Sequence, residues 1–174
     1  NNKSHHIEQL NKSFNLNVDT LHVYTSHLEE QQVNKKLNTN FKYVVIFPGG
    51  NWIPKIWPVD NFNILIKNIY EKFHNIKFII VGSKNERALY LDRITKDLSK
   101  EKFIDLMGET LTLTSAYMKK SNLFIGNDSG LMHLSVASKL KTIALFGPTN
   151  DKHYGHRNKN CYVIRTKESY DYFK

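Results

Sequence analysis

Residues 123–146 read Leu-Phe-Ile-Gly-Asn-Asp-Ser-Gly-Leu-Met-His-Leu-Ser-Val-Ala-Ser-Lys-Leu-Lys-Thr-Ile-Ala-Leu-Phe. Two short β-rich runs, Leu123 to Gly126 and Thr142 to Phe146, enclose a helix expected at about Leu131 to Ser138. A strand, a helix and a strand in so few residues form a βαβ unit. Its crossover is right-handed and its strands are parallel. The same alternation runs upstream. Tyr43 to Phe47 is a buried strand ending at Pro48-Gly49-Gly50, and a helix follows with Asp60 as N-cap and Phe62, Leu65, Ile66, Ile69 and Phe73 on one apolar face. Phe78 to Val81 is a second strand, and Ala88, Leu91, Ile94 and Leu98 mark its helix. Phe103 to Leu106 is a short third strand, and Thr112 is placed to cap a helix through Leu113, Ala116 and Tyr117. The expected fold is α/β: a Rossmann-like parallel sheet with helices on both faces.

This core is expected over residues 41–165, between a polar, Asn-rich arm over 1–40 and a short tail over 166–174. The arm has two helical stretches, around Ile7, Leu10 and Phe14 and around Leu28 to Leu37. The opening Asn1-Asn2-Lys3 has neither Met nor the pattern of a signal peptide, so the chain reads as a piece of a longer protein. Adjacent histidines on a helix point in different directions, which favours a solvated pair over a metal site for His5 and His6.

At 174 residues, with 40% hydrophobic and 24% charged residues, the chain is a folded domain rather than a disordered one. No apolar run approaches the roughly 20 residues that a membrane-spanning helix needs. The single cysteine, Cys161, excludes an internal disulfide, and cytoplasm is the expected compartment. Lys and Arg exceed Asp and Glu by 25 to 16, a net charge of +9. The excess reads either as an anionic partner or as a compositional bias toward Lys and Asn. The basic residues are scattered, and no aromatic motif lies on a basic strand pair, so a phosphate-bearing small molecule or a lipid headgroup fits better than nucleic acid.

Ligands of open parallel sheets sit beyond the carboxyl ends of the strands. One such loop, Gly126 to His133, leads into a helix whose first N–H groups are suited to a phosphate. Gly130 allows close approach there. Asp128 or Ser129 serves equally as an N-cap, and His133 lies one turn further on. In the loop Pro48 to Pro58, Gly49 and Gly50 offer N–H groups and Lys55 a point charge to an anion. Trp57-Pro58 reads as a hydrophobic staple for the helix that follows. Neither a Walker loop nor a Gly-x-Gly-x-x-Gly fingerprint occurs, which argues against ATPase and nicotinamide oxidoreductase chemistry.

Taken together, Pro48-Gly49-Gly50 with Lys55-x-Trp57-Pro58, the run Gly126 to Leu134, and Leu145-Phe146-Gly147-Pro148-Thr149 resemble the signature series of glycosyltransferase family 9, the ADP-heptose:lipopolysaccharide heptosyltransferases. The segment from His6 resembles the link between the two halves of those enzymes. The resemblance implies a two-domain GT-B architecture with this chain as the donor-binding C-terminal half. It implies donor pyrophosphate near Gly49, Gly50, Asn51 and Lys55, and sugar and phosphates near Asp128, Ser129, Gly130, Leu131 and His133. The nucleoside is implied near Gly82 to Glu86 and Leu111, with the ribose-facing position on Glu86 or occupied by Lys84. Lys55 and Asp128 are the residues implied in donor positioning and transition-state stabilisation, and the catalytic base is implied in the other half. The donor implied is a nucleotide-sugar of the ADP-heptose kind. The acceptor is the lipopolysaccharide core or another glycan, reached at the inner face of the bacterial inner membrane with peripheral contact there. No cofactor is implied, and there is no Asp-x-Asp for a metal. A noncatalytic nucleotide-sugar-binding or assembly module and a sugar-nucleotide epimerase are the rival readings.

Overall fold

A computed structural model describes residues 5–18, 21–156 and 159–168. Asn1 to Lys3, and the expected tail from residue 169 onward, lie outside the described residues. Six strands, β1 (Lys42–Phe47), β2 (Ile76–Ile80), β3 (Phe103–Asp105), β4 (Leu123–Asn127), β5 (Thr142–Phe146) and β6 (Cys161–Arg165), form one sheet in the order β3-β2-β1-β4-β5-β6. Every pairing is parallel. The helices are α1 (His6–Phe14), α2 (His27–Lys36), α3 (Val59–Lys72), α4 (Lys84–Thr95), α5 (Leu111–Lys119), α6 (Gly130–Ala137) and α7 (Asp151–Tyr154).

Alternation along the strands sorts the core into two layers, because successive side chains point to opposite faces. Val45, Phe47, Ile79 and Val81 pack under α5 and α6 with Ala116, Tyr117 and Met132, and α2 adds fully buried Val33 to that layer. Val44, Ile46, Phe78, Ile80 and Ile125 pack on the other side against Phe62 and Ile66 of α3 and Leu91 and Ile94 of α4. Burying such a side chain contributes about 1.5–3 kcal/mol, so the two layers supply most of the drive to fold.

Local chemistry sets the helix starts, at places that differ in part from expectation. α3 begins at Val59 with Pro58 as N-cap, and no side chain caps it. Asp60 instead lies in its first turn and pairs with Arg93 of α4 at 3.0 Å. The staple is formed: the Trp57 ring meets Phe62 edge-on at 5.0 Å between centroids. Phe73, expected on the apolar face, terminates α3 and is exposed. The cap of α5 is Thr110 rather than Thr112, its Oγ1 accepting from Leu113 N at 3.2 Å. His5 is not solvated. It is buried as the N-cap of α1, and its Nε2 lies 2.8 Å from the Gly155 carbonyl oxygen, tying the arm to the end of α7. β6 was not expected at all, because its alternating run Cys-Tyr-Val-Ile-Arg follows no helix with a clear apolar period.

Strand order reverses between β1 and β4, so the loops leaving these two neighbours diverge to opposite sides and open a crevice. That crevice carries the candidate site.

Candidate functional site

The crevice is a cleft of about 970 Å³. Loop 48–58 forms one wall, with a 3-10 turn at Ile53–Lys55, and the β4–α6 loop forms the other. Buried Asn127, the last residue of β4, fastens the two walls together. Its Nδ2 donates to the carbonyls of Pro48 (3.2 Å) and Gly49 (2.8 Å), and its Oδ1 accepts from Trp57 N (3.0 Å). This holds Lys55 toward the cleft. Lys55 Nζ lies 2.9 Å from Asp128 Oδ2, and Asp128 is only 5% exposed. The same carboxylate oxygen accepts from Thr149 Oγ1 at 2.7 Å.

Asp128 is therefore not the helix cap. Ser129 caps α6 by accepting from Met132 N, and Asp128 is left to aim its carboxylate across the cleft. Gly130 opens α6, and a Cβ there would meet nothing within 4 Å, so the helix N-terminus faces open space. Leu131 and His133 line the cleft beside it. His133 Nδ1 lies 2.7 Å from His156 Nε2. Burial first of all depresses the pKa of His133, and the Asp128 carboxylate opposes that shift. His156 is pushed down to about 4 by burial, then by His133 and His5. Both rings are held neutral near pH 7.

At the opposite end, Ser83 and Glu86 form a capping box at the start of α4. Glu86 Oε2 accepts from Ser83 N at 2.7 Å and Oε1 from Gly50 N at 2.8 Å. The Gly50 N–H, expected to meet a ligand anion, thus meets an internal carboxylate. Gly49 lies just outside the cleft lining, and a Cβ there would push the Glu86 carboxylate out of its present place. Gly50 and Asn51 line the wall beside Lys55. Lys84 and Leu111 line the far end, where Gly108 at φ +93° accommodates the Lys84 stem. All the expected site residues except Gly49 therefore share one cleft, with Leu21, His22 and Val23 of the arm along its rim.

Four participants escaped sequence reading: Asn127, Thr149, His156 and Arg165. Arg165 on β6 donates to the carbonyls of Thr149 (2.7 Å) and Gly147 (2.9 Å) and pairs with Asp151 at 2.9 Å, which holds Thr149 against Asp128. The advance signal for Asn127 and Thr149 was their place in the motif runs at the carboxyl ends of two buried strands. Among the described residues no group of three or more His, Cys, Asp or Glu side chains is arranged to hold a metal ion.

The cleft's own ionisable groups are nearly balanced. Lys55 and Lys84 face Glu86, Glu109 and Asp128, so the chain's positive charge lies elsewhere. Attraction for an anion must come from the lysines and from the N–H groups at the start of α6.

The profile of Glycosyltransferase family 9 (heptosyltransferase) matches residues 4–173. Lipooligosaccharide heptosyltransferase 2 of Campylobacter jejuni subsp. jejuni serotype O:2 is 68% identical over 117 residues, covering 65% of this chain and 36% of that protein. The solved structure of E. coli ADP-heptose LPS heptosyltransferase II matches with a TM-score of 0.73 at 22% identity, over 86% of this chain and 46% of that one. E. coli heptosyltransferase WaaC with ADP matches with a TM-score of 0.68 at 20% identity, over 91% and 48%. The chain spans about a third of the length of the curated relatives it matches and under half of the solved ones. Its fold is that of one half of the GT-B glycosyltransferases. With the family profile covering nearly its whole length, the chain belongs to glycosyltransferase family 9, the heptosyltransferase family.

Proposed function

We propose that this chain is the donor-binding half of an inverting glycosyltransferase that moves heptose or a related sugar from a nucleotide-sugar to the lipopolysaccharide core. The observation that carries the reading is Lys55 held 2.9 Å from Asp128 across the crevice, beside the uncovered N-terminus of α6. Family membership sets the epimerase reading aside. A heptosyltransferase of the same fold was solved with ADP, which favours ADP-heptose as donor.

In this reading the diphosphate lies between Lys55 and the N–H groups at Ser129 and Gly130, near Gly50 and Asn51. The sugar and the adjoining phosphate oxygens lie by Asp128, Leu131 and His133. The nucleoside lies by Leu111 and Lys84, with Glu86 at the ribose. The acceptor hydroxyl attacks the anomeric carbon and the bond to the diphosphate breaks, leaving charge on the leaving oxygen. Lys55 and the helix N-terminus stabilise that charge as it develops. Asp128 restrains the lysine and offers a carboxylate oxygen to sugar hydroxyls. The base and the acceptor site belong to the remainder of the enzyme, and the donor half works at the cytoplasmic face of the inner membrane.

Calorimetry with ADP, UDP and GDP tests this directly. Binding of ADP in preference to the others, with no sugar transfer by this chain alone, is the expected result. No heat with any of them at millimolar concentration overturns the donor-site reading.

A further inference from the structure

His156 was not among the residues implied in donor binding. It is 8% exposed and stands behind His133, away from the cleft. The two rings meet edge to face at 4.8 Å between centroids, with Nδ1 of His133 and Nε2 of His156 at hydrogen-bond distance. Two imidazoles joined this way share one proton, so only one of the pair can be an imidazolium. The His133 Nδ1 is engaged by this bond, which leaves Nε2 as the nitrogen for the cleft.

We propose that His156 is a positioning residue for the donor diphosphate: as a neutral acceptor it orients His133 so that His133 takes up a proton from solvent when the diphosphate enters, and donates it from Nε2 to a phosphate oxygen. The proposal rests on the donor-site reading above. Protonation forms one N–H bond at Nε2 and breaks none in the protein; the buffer supplies the proton.

Charge balance supplies the reason. The cleft lining has two lysines against three carboxylates, so a diphosphate enters a site short of positive charge. The groups whose charge acts on His133 are Asp128 from its own loop, Lys55 from loop 48–58 and His5 and His6 at the start of α1, and His156 is hydrogen-bonded to it. Asp128 favours the imidazolium, whereas burial, Lys55 and the two α1 histidines oppose it. The incoming anion tips the balance toward it. His156 is the member of the pair that stays neutral, since burial, His133 and His5 all disfavour its charge.

Titration of this chain with ADP and with adenosine, in buffers of different ionisation enthalpy at pH 7.5, measures the protons taken up. Net uptake is expected with ADP and not with adenosine. His156→Phe is expected to lose it and to bind ADP about three- to tenfold more weakly with adenosine affinity unchanged, and His156→Gln, which keeps an acceptor, to retain most of both. Imidazole 15N shifts of unsubstituted protein need no variant: in the ADP complex both His133 nitrogens are expected at imidazolium values. Equal proton uptake in His156→Phe, or a neutral His133 in the ADP complex, overturns the proposal while leaving the donor site intact. An absence of ADP binding to the unsubstituted chain overturns the donor site and this proposal with it.

Discussion

The two ends of the cleft each hold an acidic side chain, and they hold it by different means. Glu86 is fixed by backbone N–H groups, one of them in the capping box of its own helix. Asp128 is fixed by side chains that reach it from two other loops, Lys55 and Thr149. A capping box forms wherever its helix forms. The Asp128 arrangement exists only while the loops after β1 and β5 are closed on β4. The Glu86 end is thus preset in part by the local structure of its own helix, and the Asp128 end by tertiary closure alone.

The strongest way to break this contrast is Asn127→Ala. It leaves the Trp57 N–H and the Pro48 and Gly49 carbonyls without their buried partner, at a cost of about 2–4 kcal/mol in urea denaturation. ADP binding is expected to fall with it, while backbone amide shifts at Ser83 and Glu86 stay in place.

Acid destabilises the fold through His156, behind the Asp128 end of the cleft. The folded pKa of His156, about 4, lies below the value of about 6.5 for an unfolded histidine. The unfolded chain therefore binds this proton first as pH falls, and stability declines between about pH 6.5 and 4. The loss is at most about 3 kcal/mol, and thermal melts of His156→Phe should show a flatter profile over that window.

Lys55→Ala removes the charge proposed to meet the diphosphate. ADP affinity is expected to drop by about one to two decades, the worth of a charge-assisted contact, with adenosine affinity unchanged. Equal losses for both ligands would instead mean a damaged cleft.

Asp128→Asn is a finer probe, because Asn still accepts from Thr149 and Ser129 still caps the helix. Melting temperature should hold. ADP affinity should rise slightly as a negative charge leaves, while donor-sugar affinity falls by about 1 kcal/mol. If both affinities are unchanged, the carboxylate has no part in donor binding.

Glu86→Gln should be a mild change in stability, about 1 kcal/mol, since Gln keeps one acceptor for the Ser83 N–H of the capping box but faces the Gly50 N–H with an amide NH2. A selective loss of adenosine affinity in this variant would place the ribose at Glu86.

The sheet was legible in the sequence because buried parallel strands are continuous apolar runs and their helices repeat every three to four residues. Loops were located by Gly and Pro, and the motifs in two of them were enough to name a family. Exact caps were less legible. Thr110 and Thr112 both satisfy the chemistry of an N-cap, and only the folded backbone shows which carries the extended conformation. Likewise Asp128 and Ser129 are equivalent caps on paper, and the proximity of Lys55 and Thr149 decides between them.

The sequence alone thus determined the α/β class, the order of most elements and the loops that make the site, since these follow from local periodicity and turn chemistry. Tertiary structure alone decided the edge strand β6, the burial of His5, the Asn127 fastening, the Glu86 contact with Gly50 and the pairing of His133 with His156. Each of these joins groups distant in the chain. Their energies come from desolvation and hydrogen-bond geometry, which arise only when the sheet assembles and brings the partners together.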